Sequence, residues 1–259
     1  MTPPLPPVPL ELSAFGSFRP IAPMAGGSRA TVWRVEDDMG RVFVARTSSR
    51  TEAQLRWALS LMRAARQAGF RVAPYRATLS GAIAPAGWTL EPFLDGRGAG
   101  LAEMRALSPR IRAFHDLTAG IPQRPGFASC LDLLSADRGG DVDMTALPEV
   151  LAQACREAWA PFTGQRLHAL HGDLGPGNVL MAAGGPGLID WDEARSDLPL
   201  HDLATGGTLG PEEQRAHLAF EIATCWQAEP KYAADLARQF LAFAGFESAG
   251  RVSRASRPR

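Results

Sequence analysis

The stretch "HGDLGPGNVL", residues 171–180, decides the reading of this chain. It sets Asp173 and Asn178 in a glycine-punctuated loop, and "LIDWDEA" follows, with Asp190 twelve positions after Asn178. Asp and Asn are seldom fully buried without partners, so the set marks a place where charge is handled. "NVLMA" and "GLID" read as two short strands joined by the turn "AAGGPG". That hairpin brings Asn178 and Asp190 side by side. A carboxylate with an amide oxygen suits Mg²⁺, a hard cation that takes oxygen ligands and keeps several waters. Asp173 is then left to accept a proton from an attacking hydroxyl, or to orient it.

The totals restrict what surrounds this motif. The 259 residues suffice for one large domain or two modest lobes. Charge is balanced at 27 basic and 27 acidic residues, so no basic face points to nucleic acid or an anionic membrane. Cys130, Cys155 and Cys225 are scattered and odd in number, as small core residues in a reducing cytosol would be. No apolar run approaches the ~20 residues of a membrane span, and the proline-rich start "MTPPLPPVPLELSAF" lacks the pattern of a signal peptide. A cytoplasmic protein is expected. Lys231 is the only lysine.

Upstream, Val32, Val35, Val42 and Val44 belong to two β-rich runs with the turn Asp38-Met39-Gly40 between them. From Thr51 to about Gly69 an amphipathic helix is expected, with Leu55, Leu59, Met62 and Ala65 on one face. Short strands follow near 75–80 and 86–91, and then the connector "EPFLDGRG". Beyond residue 100, helices are expected at about 101–117, 145–161, 211–228 and 231–246. The fold class is therefore α+β. A strand-rich N-lobe covers 1–92, and a larger helical C-lobe covers 93–259, with a disordered basic tail from about 248.

His171, Asp173, Leu174, Asn178 and Asp190 fill, in order, the slots of a kinase catalytic loop H-x-D-L-x-x-x-N and its metal-binding Asp. "HGDLGPGN", "IDWDEA" and "DLPLHDLA" together resemble the aminoglycoside phosphotransferase and choline kinase family, with its bilobal protein-kinase-like fold. The likeness is strongest from His168 to Ala204 and weaker over the first 100 residues. It implies Asp173 as catalytic base, Asn178 and Asp190 as Mg²⁺ ligands, and His171 as a loop-shaping residue. It also implies Asp202 as the residue that holds the loop. Gly175 stands where serine/threonine protein kinases usually carry lysine, and neither D-F-G nor A-P-E occurs. A small-molecule kinase is favoured.

For the nucleotide, "AGGSRATVW" places Gly26, Gly27 and Ser28 before a strand, where backbone N–H groups can approach a polyphosphate. The resemblance puts a cation facing the α/β-phosphates on the next strand, at Arg46. Arginine grips phosphate by a bidentate fork, so this is not a neutral exchange for lysine. Glu52 is the candidate partner of Arg46, or else serves the helix N-terminus. The resemblance also pairs adenine with the Glu91 carbonyl and the Phe93 N–H; ATP and GTP are not distinguished.

Asp132, Asp137, Asp141 and Asp143, with Asp192 and Glu193, would draw a cationic small-molecule acceptor such as an aminoglycoside or another amine, or form a solvated acidic loop. Trp159 and Trp191 offer faces for a quaternary ammonium, or belong to the core. The expected activity is Mg²⁺-dependent transfer of the γ-phosphoryl of ATP or GTP to a small-molecule hydroxyl. The alternative is a kinase-fold protein that binds nucleotide or ligand without transfer. A dinuclear phosphoesterase is disfavoured, because Val179 follows Asn178 and no D-x-H occurs.

Overall fold

The computed structural model describes residues 11–24, 30–207 and 209–255, with side chains through 242. In chain order the strands are β1 (Phe18–Pro23), β2 (Val32–Asp37), β3 (Val42–Thr47), β4 (Arg71–Val72), β5 (Trp88–Pro92) and β6 (Arg97–Gly98). They continue with β7 (Arg138–Gly139), β8 (Val142–Asp143), β9 (His168–Leu170), β10 (Val179–Ala182), β11 (Gly185–Leu188) and β12 (Arg195–Asp197). The helices are α1 (Glu52–Gln67), α2 (Leu101–Thr118), α3 (Glu149–Trp159), α4 (Leu200–Leu203), α5 (Pro211–Cys225) and α6 (Pro230–Ala255). The fold is mixed α+β, strand-rich first and helical after.

The chain divides into two units. The first holds residues 1–100 and 175–192; the second holds 101–174 and 193–259. From sequence a single cut at 92/93 is expected. The chain instead returns to its first unit, because β10 pairs with β6, and β11 pairs in parallel with β4.

In the first unit β1, β2, β3 and β5 form an antiparallel sheet in that order. The turn at Asp38–Gly40 is as expected: the Asp37 carboxylate accepts the Met39 and Arg41 N–H groups, and Gly40 takes φ +75°. Strand β1, with Pro20 and Pro23, is not among the strands expected from sequence. It lies on the sheet edge, where proline's missing N–H costs no ladder bond. One face of the sheet buries Val35, Phe43, Ala45, Trp88 and Leu90 with Leu12 and Phe15. Side chains alternate along a strand, so Val44, Arg46, Thr89 and Glu91 share the other face.

Helix α1 begins with a reciprocal cap, in which Thr51 accepts from the Gln54 N–H and the Gln54 side chain accepts from Thr51 N–H. Its buried stripe is Leu55, Ala58, Leu61, Met62 and Ala65, while Leu59 is only half-buried. No strand forms at 75–80; from that segment the Arg76 N–H reaches the Leu90 carbonyl at 2.7 Å.

The second unit packs α3, α5 and α6 around Leu133, Cys155, Trp159, Phe220, Ile222 and Phe240. Trp159 donates its indole N–H to the Ala216 carbonyl at 3.0 Å and is core, not a ligand face. Helix α6 runs to Ala255, so the segment from about 248 continues a helix where a tail was expected. The three cysteines are buried free thiols. No described helix is long and apolar enough to cross a membrane.

Strands β9 and β12 pair and bring a buried polar cluster under this core. Asp197 accepts from Arg195 Nε at 2.8 Å and from the Cys130 and Leu198 N–H groups. The Arg195 guanidinium lies 3.6 Å over the Phe220 ring. His201 is buried beside them, and burial, with Arg195 and His217 adding to it against the pull of Asp197, lowers its pKa to about 3. The unfolded chain takes up a proton at His201 below its ordinary value of 6.5, and the folded chain does not. Stability is thus intact above about pH 6.5 and lost as pH falls, at about 1.4 kcal/mol per pH unit. Burial likewise lowers the pKa of His217 to about 4, so urea unfolding at pH 6.5 and 5 is expected to show the combined slope of the two histidines, and His201→Phe to remove about half of it. An unchanged slope in that variant refutes the assignment.

Candidate active site

Helix α4 and strand β9 build one half of the motif within the second unit. Asp202 of α4 is buried, and its Oδ2 accepts the His171 N–H at 2.9 Å and His115 Nε2 at 3.0 Å. Its Oδ1 accepts the Gly172 N–H at 2.8 Å. Burial pushes this carboxyl up, but the hydrogen bonds and the neighbouring histidines prevail and hold it below the usual carboxylate range. Asp202 thus fixes the backbone directly before Asp173, the role the motif implied for it. Gly172 adopts φ +87°, and a Cβ there would lie 2.2 Å from the Glu193 carbonyl oxygen. Only glycine fits. Leu174 is buried and Asp173 between them is exposed, so the loop is anchored on both sides of an outward carboxylate.

At Gly175 the chain enters the first unit. The Asn178 N–H bonds the Gly175 carbonyl at 3.0 Å, and the Asn178 carbonyl accepts the Ile189 N–H at 3.1 Å. Val179 pairs with Leu188 and Ala182 with Gly185, so the hairpin turn is only Ala183–Gly184, tighter than the sequence suggested. The hairpin sets Asn178 opposite Ile189, the residue before Asp190. Asp190 adopts φ +65°, a left-handed conformation that a non-glycine residue rarely holds without a local reason.

Arg46 of β3 supplies that reason. Its guanidinium bonds Asp190 at 2.7 Å and Asp192 at 2.9 Å, and the Arg46 side chain is 14% exposed. Burial opposes its charge, but Asp192 and Asp190 outweigh burial and raise its pKa. Two carboxylates therefore converge on one cation. From sequence Asp192 groups with the carboxylates that would draw a cationic acceptor, and its pairing with Arg46 is missed; the D-x-D spacing of Asp190 and Asp192 was the available signal.

Glu52 is not the partner of Arg46. Its carboxylate accepts the Ile83 N–H at 3.0 Å and pairs with Arg56 at 2.6 Å, one helical turn on. Glu91 points to the Arg46 face of the sheet. Burial raises its pKa to about 7, with Arg46 pulling it down and Asp190 and Asp192 pushing it up.

The two groups expected to meet the base are engaged in the sheet. The Phe93 N–H bonds the Val42 carbonyl at 3.1 Å, and Glu91 lies opposite Val44 in the same ladder. Backbone groups two residues apart face the same side of an antiparallel strand, so the Glu91 carbonyl and the Phe93 N–H both face β3. The next residues turn outward, as the Leu90 carbonyl does toward Arg76. The open pair on the unflanked edge of β5 is the Pro92 carbonyl and the Leu94 N–H. Gly26, Gly27 and Ser28 lie outside the described residues.

The acidic stretch of the second unit is occupied locally. Asp132 accepts from Ser129, Asp137 pairs with Arg156, and Asp143 pairs with Arg138 and accepts from Thr145. Trp191 is buried at 1% exposure and presents no face to a ligand.

The sequence profile described as the "Phosphotransferase enzyme family" matches residues 20–238. No curated protein matches the chain. Solved structures show a similar fold. A thermostable mutant of the aminoglycoside phosphotransferase APH(4)-Ia, in a ternary complex with ADP and hygromycin B, is 14% identical at a TM-score of 0.60. That match covers 90% of this chain and 95% of that one. An aminoglycoside phosphotransferase from Alicyclobacillus acidocaldarius is 19% identical, covers 96% of each chain and gives a TM-score of 0.54. The amicoumacin kinase hAmiN, solved with AMP-PNP, Ca²⁺ and Ami, is 16% identical over 87% of this chain and 71% of that one, at a TM-score of 0.55.

Proposed function

The chain belongs to the phosphotransferase enzyme family, and on that premise we propose that it moves the γ-phosphoryl group of a purine nucleoside triphosphate to a hydroxyl of a small molecule. The observation that carries this reading is the convergence of Asp190 and Asp192 on Arg46. A structural ion pair needs one carboxylate, whereas a phosphoryl-transfer site needs several, together with a cation able to grip phosphate oxygens.

Asp190, Asp192 and the Asn178 amide form an all-oxygen donor set that fits a hard divalent cation, and Mg²⁺ is the one this chemistry favours. When bound it would neutralise charge on the phosphate oxygens. Arg46 would hold the nucleotide, since its planar fork suits two phosphate oxygens. The Pro92 carbonyl and Leu94 N–H hold the base. Asp173 accepts the proton of the acceptor hydroxyl as its oxygen attacks the γ-phosphorus and the bond to the diphosphate leaving group breaks. The remaining work is positioning, as a loose transition state requires.

The acceptor is a hydroxyl-bearing small molecule, in line with the hygromycin B complex of one relative. The local pairing of Asp132, Asp137 and Asp143 lends no support to a preference for cations. Buried free thiols accord with a reducing cytosol.

The experiment is thermal unfolding with ATP or GTP, with and without Mg²⁺. At a hundredfold excess over Kd, binding stabilises by about 2.7 kcal/mol, which raises Tm by roughly 5–10 °C for a chain of this size. Asp190→Asn is expected to abolish the Mg²⁺-dependent part of that rise. A wild-type protein indifferent to both nucleotides refutes the reading.

A further inference from the structure

Glu91 is a carboxylate in a strand that otherwise reads Trp-Thr-Leu-Pro, and it is 9% exposed. No hydrogen-bond partner for it is found among the described residues. The nearest cation is Arg46, whose guanidinium donates to Asp190 and Asp192 instead. Its carboxylate oxygens are not among the fully enclosed, unsatisfied polar atoms, so a mostly buried side chain presents an acceptor tip at the surface beside Arg46, a place where a ligand can reach it.

Its placement suggests what the partner is. Glu91 lies opposite Val44 and one pair along from Arg46–Thr89, on the face of the sheet turned away from the Phe43–Leu90 core. The carbonyl of the next residue, Pro92, opens onto the free edge of β5. A carboxylate and a carbonyl, one residue apart, thus offer two acceptors and no donor. An exocyclic amine, with two hydrogens on one nitrogen, satisfies both. A ring carbonyl satisfies neither and sets its lone pairs against the carboxylate.

We propose that Glu91 reads position 6 of the donor's purine, accepting from a 6-amino group and rejecting a 6-oxo group, so that the protein takes an adenine rather than a guanine nucleotide. This rests on the nucleotide reading above. Glu91 is a specificity residue, not a catalytic one; a site built around a polar contact discriminates strongly against the analogue that leaves it unmade.

The test is calorimetric titration of the full chain with Mg²⁺ and three nucleotides: ATP, GTP, and purine riboside triphosphate, which carries hydrogen at position 6. The titrations are run at pH 8.5, above the value of about 7 to which burial raises Glu91. Wild type is expected to bind ATP at least about tenfold more tightly than the 6-hydrogen analogue, and GTP more weakly still. Glu91→Leu should erase the difference between ATP and the analogue. Glu91→Gln keeps the volume and can donate as well as accept, and should bring GTP within about threefold of ATP. Equal wild-type affinities for ATP and GTP, or ratios unchanged in both variants, overturn the role of Glu91 and leave the nucleotide site standing. Failure of wild type to bind any of the three overturns the nucleotide reading and this inference with it.

Discussion

Asp173→Asn is expected to lower kcat by about 10²–10⁴-fold, the usual contribution of a positioned general base, while Kd for the Mg²⁺–nucleotide stays within about twofold. The amide keeps the volume and one acceptor oxygen but cannot take up a proton at neutral pH. Nucleotide affinity should persist because Arg46, Asn178, Asp190, Asp192 and the edge of β5 all belong to the first unit, and Asp173 does not. Its carboxylate is exposed and the amide keeps its shape, so folding should be little affected. The measurement is phosphoryl transfer from radiolabelled nucleotide to a panel of hydroxylated antibiotics, hygromycin B first, alongside calorimetry on the same variant. Turnover at the wild-type rate removes Asp173 from the chemistry. Loss of turnover together with loss of nucleotide affinity also fails the assignment, since a base for the acceptor has no call on the donor.

The parts of this site that were legible in the sequence are those that local chain geometry determines. Asp173, Asn178 and Asp190 fall within eighteen residues of one another, and a hairpin is enough to join the last two. Helix α1 announces itself by period and by the Thr51–Gln54 cap. The failures are those where long-range pairing decides. Arg46 meets Asp190 and Asp192 across separations of 144 and 146 positions, so a search limited to near neighbours produced Glu52, whose geometry leads to Ile83 and Arg56. The Glu91 carbonyl and Phe93 N–H, expected to meet the base, face β3 instead, for a related reason. Which carbonyls of β5 face β3 depends on the register Val44↔Glu91, and the side-chain pattern of "WTLEPF" carries no record of it. Strand β1 went unread from sequence; it tolerates Pro20 and Pro23 because it lies on an edge.

Asp202→Ala is expected to destabilise the protein by about 3–5 kcal/mol, the cost of breaking a buried charged network from one side. Three donors lose their acceptor at once: the His171 and Gly172 N–H groups and His115 Nε2. Two of them are main-chain groups of the loop that presents Asp173, and neither can turn elsewhere, because Gly172 is wedged against the Glu193 carbonyl. Asp202→Asn should fall between the two. Its single oxygen can serve one side, while its NH₂ confronts donors on the other. The carboxyl is held below its ordinary value of 3.8 in the folded state. Its contribution is therefore fully present above about that pH, and is lost as pH falls through the lowered value. Urea unfolding at pH 7 reads the whole effect, and the gap between wild type and Asp202→Ala should narrow only in strong acid. A loss below about 1 kcal/mol at pH 7 means the loop is held by other contacts. The same variant separates support from chemistry: Asp202→Asn should reduce kcat through a misplaced Asp173 while leaving Mg²⁺–nucleotide affinity intact. A kcat preserved in a destabilised Asp202→Asn protein would show that the loop keeps its catalytic form without this clamp.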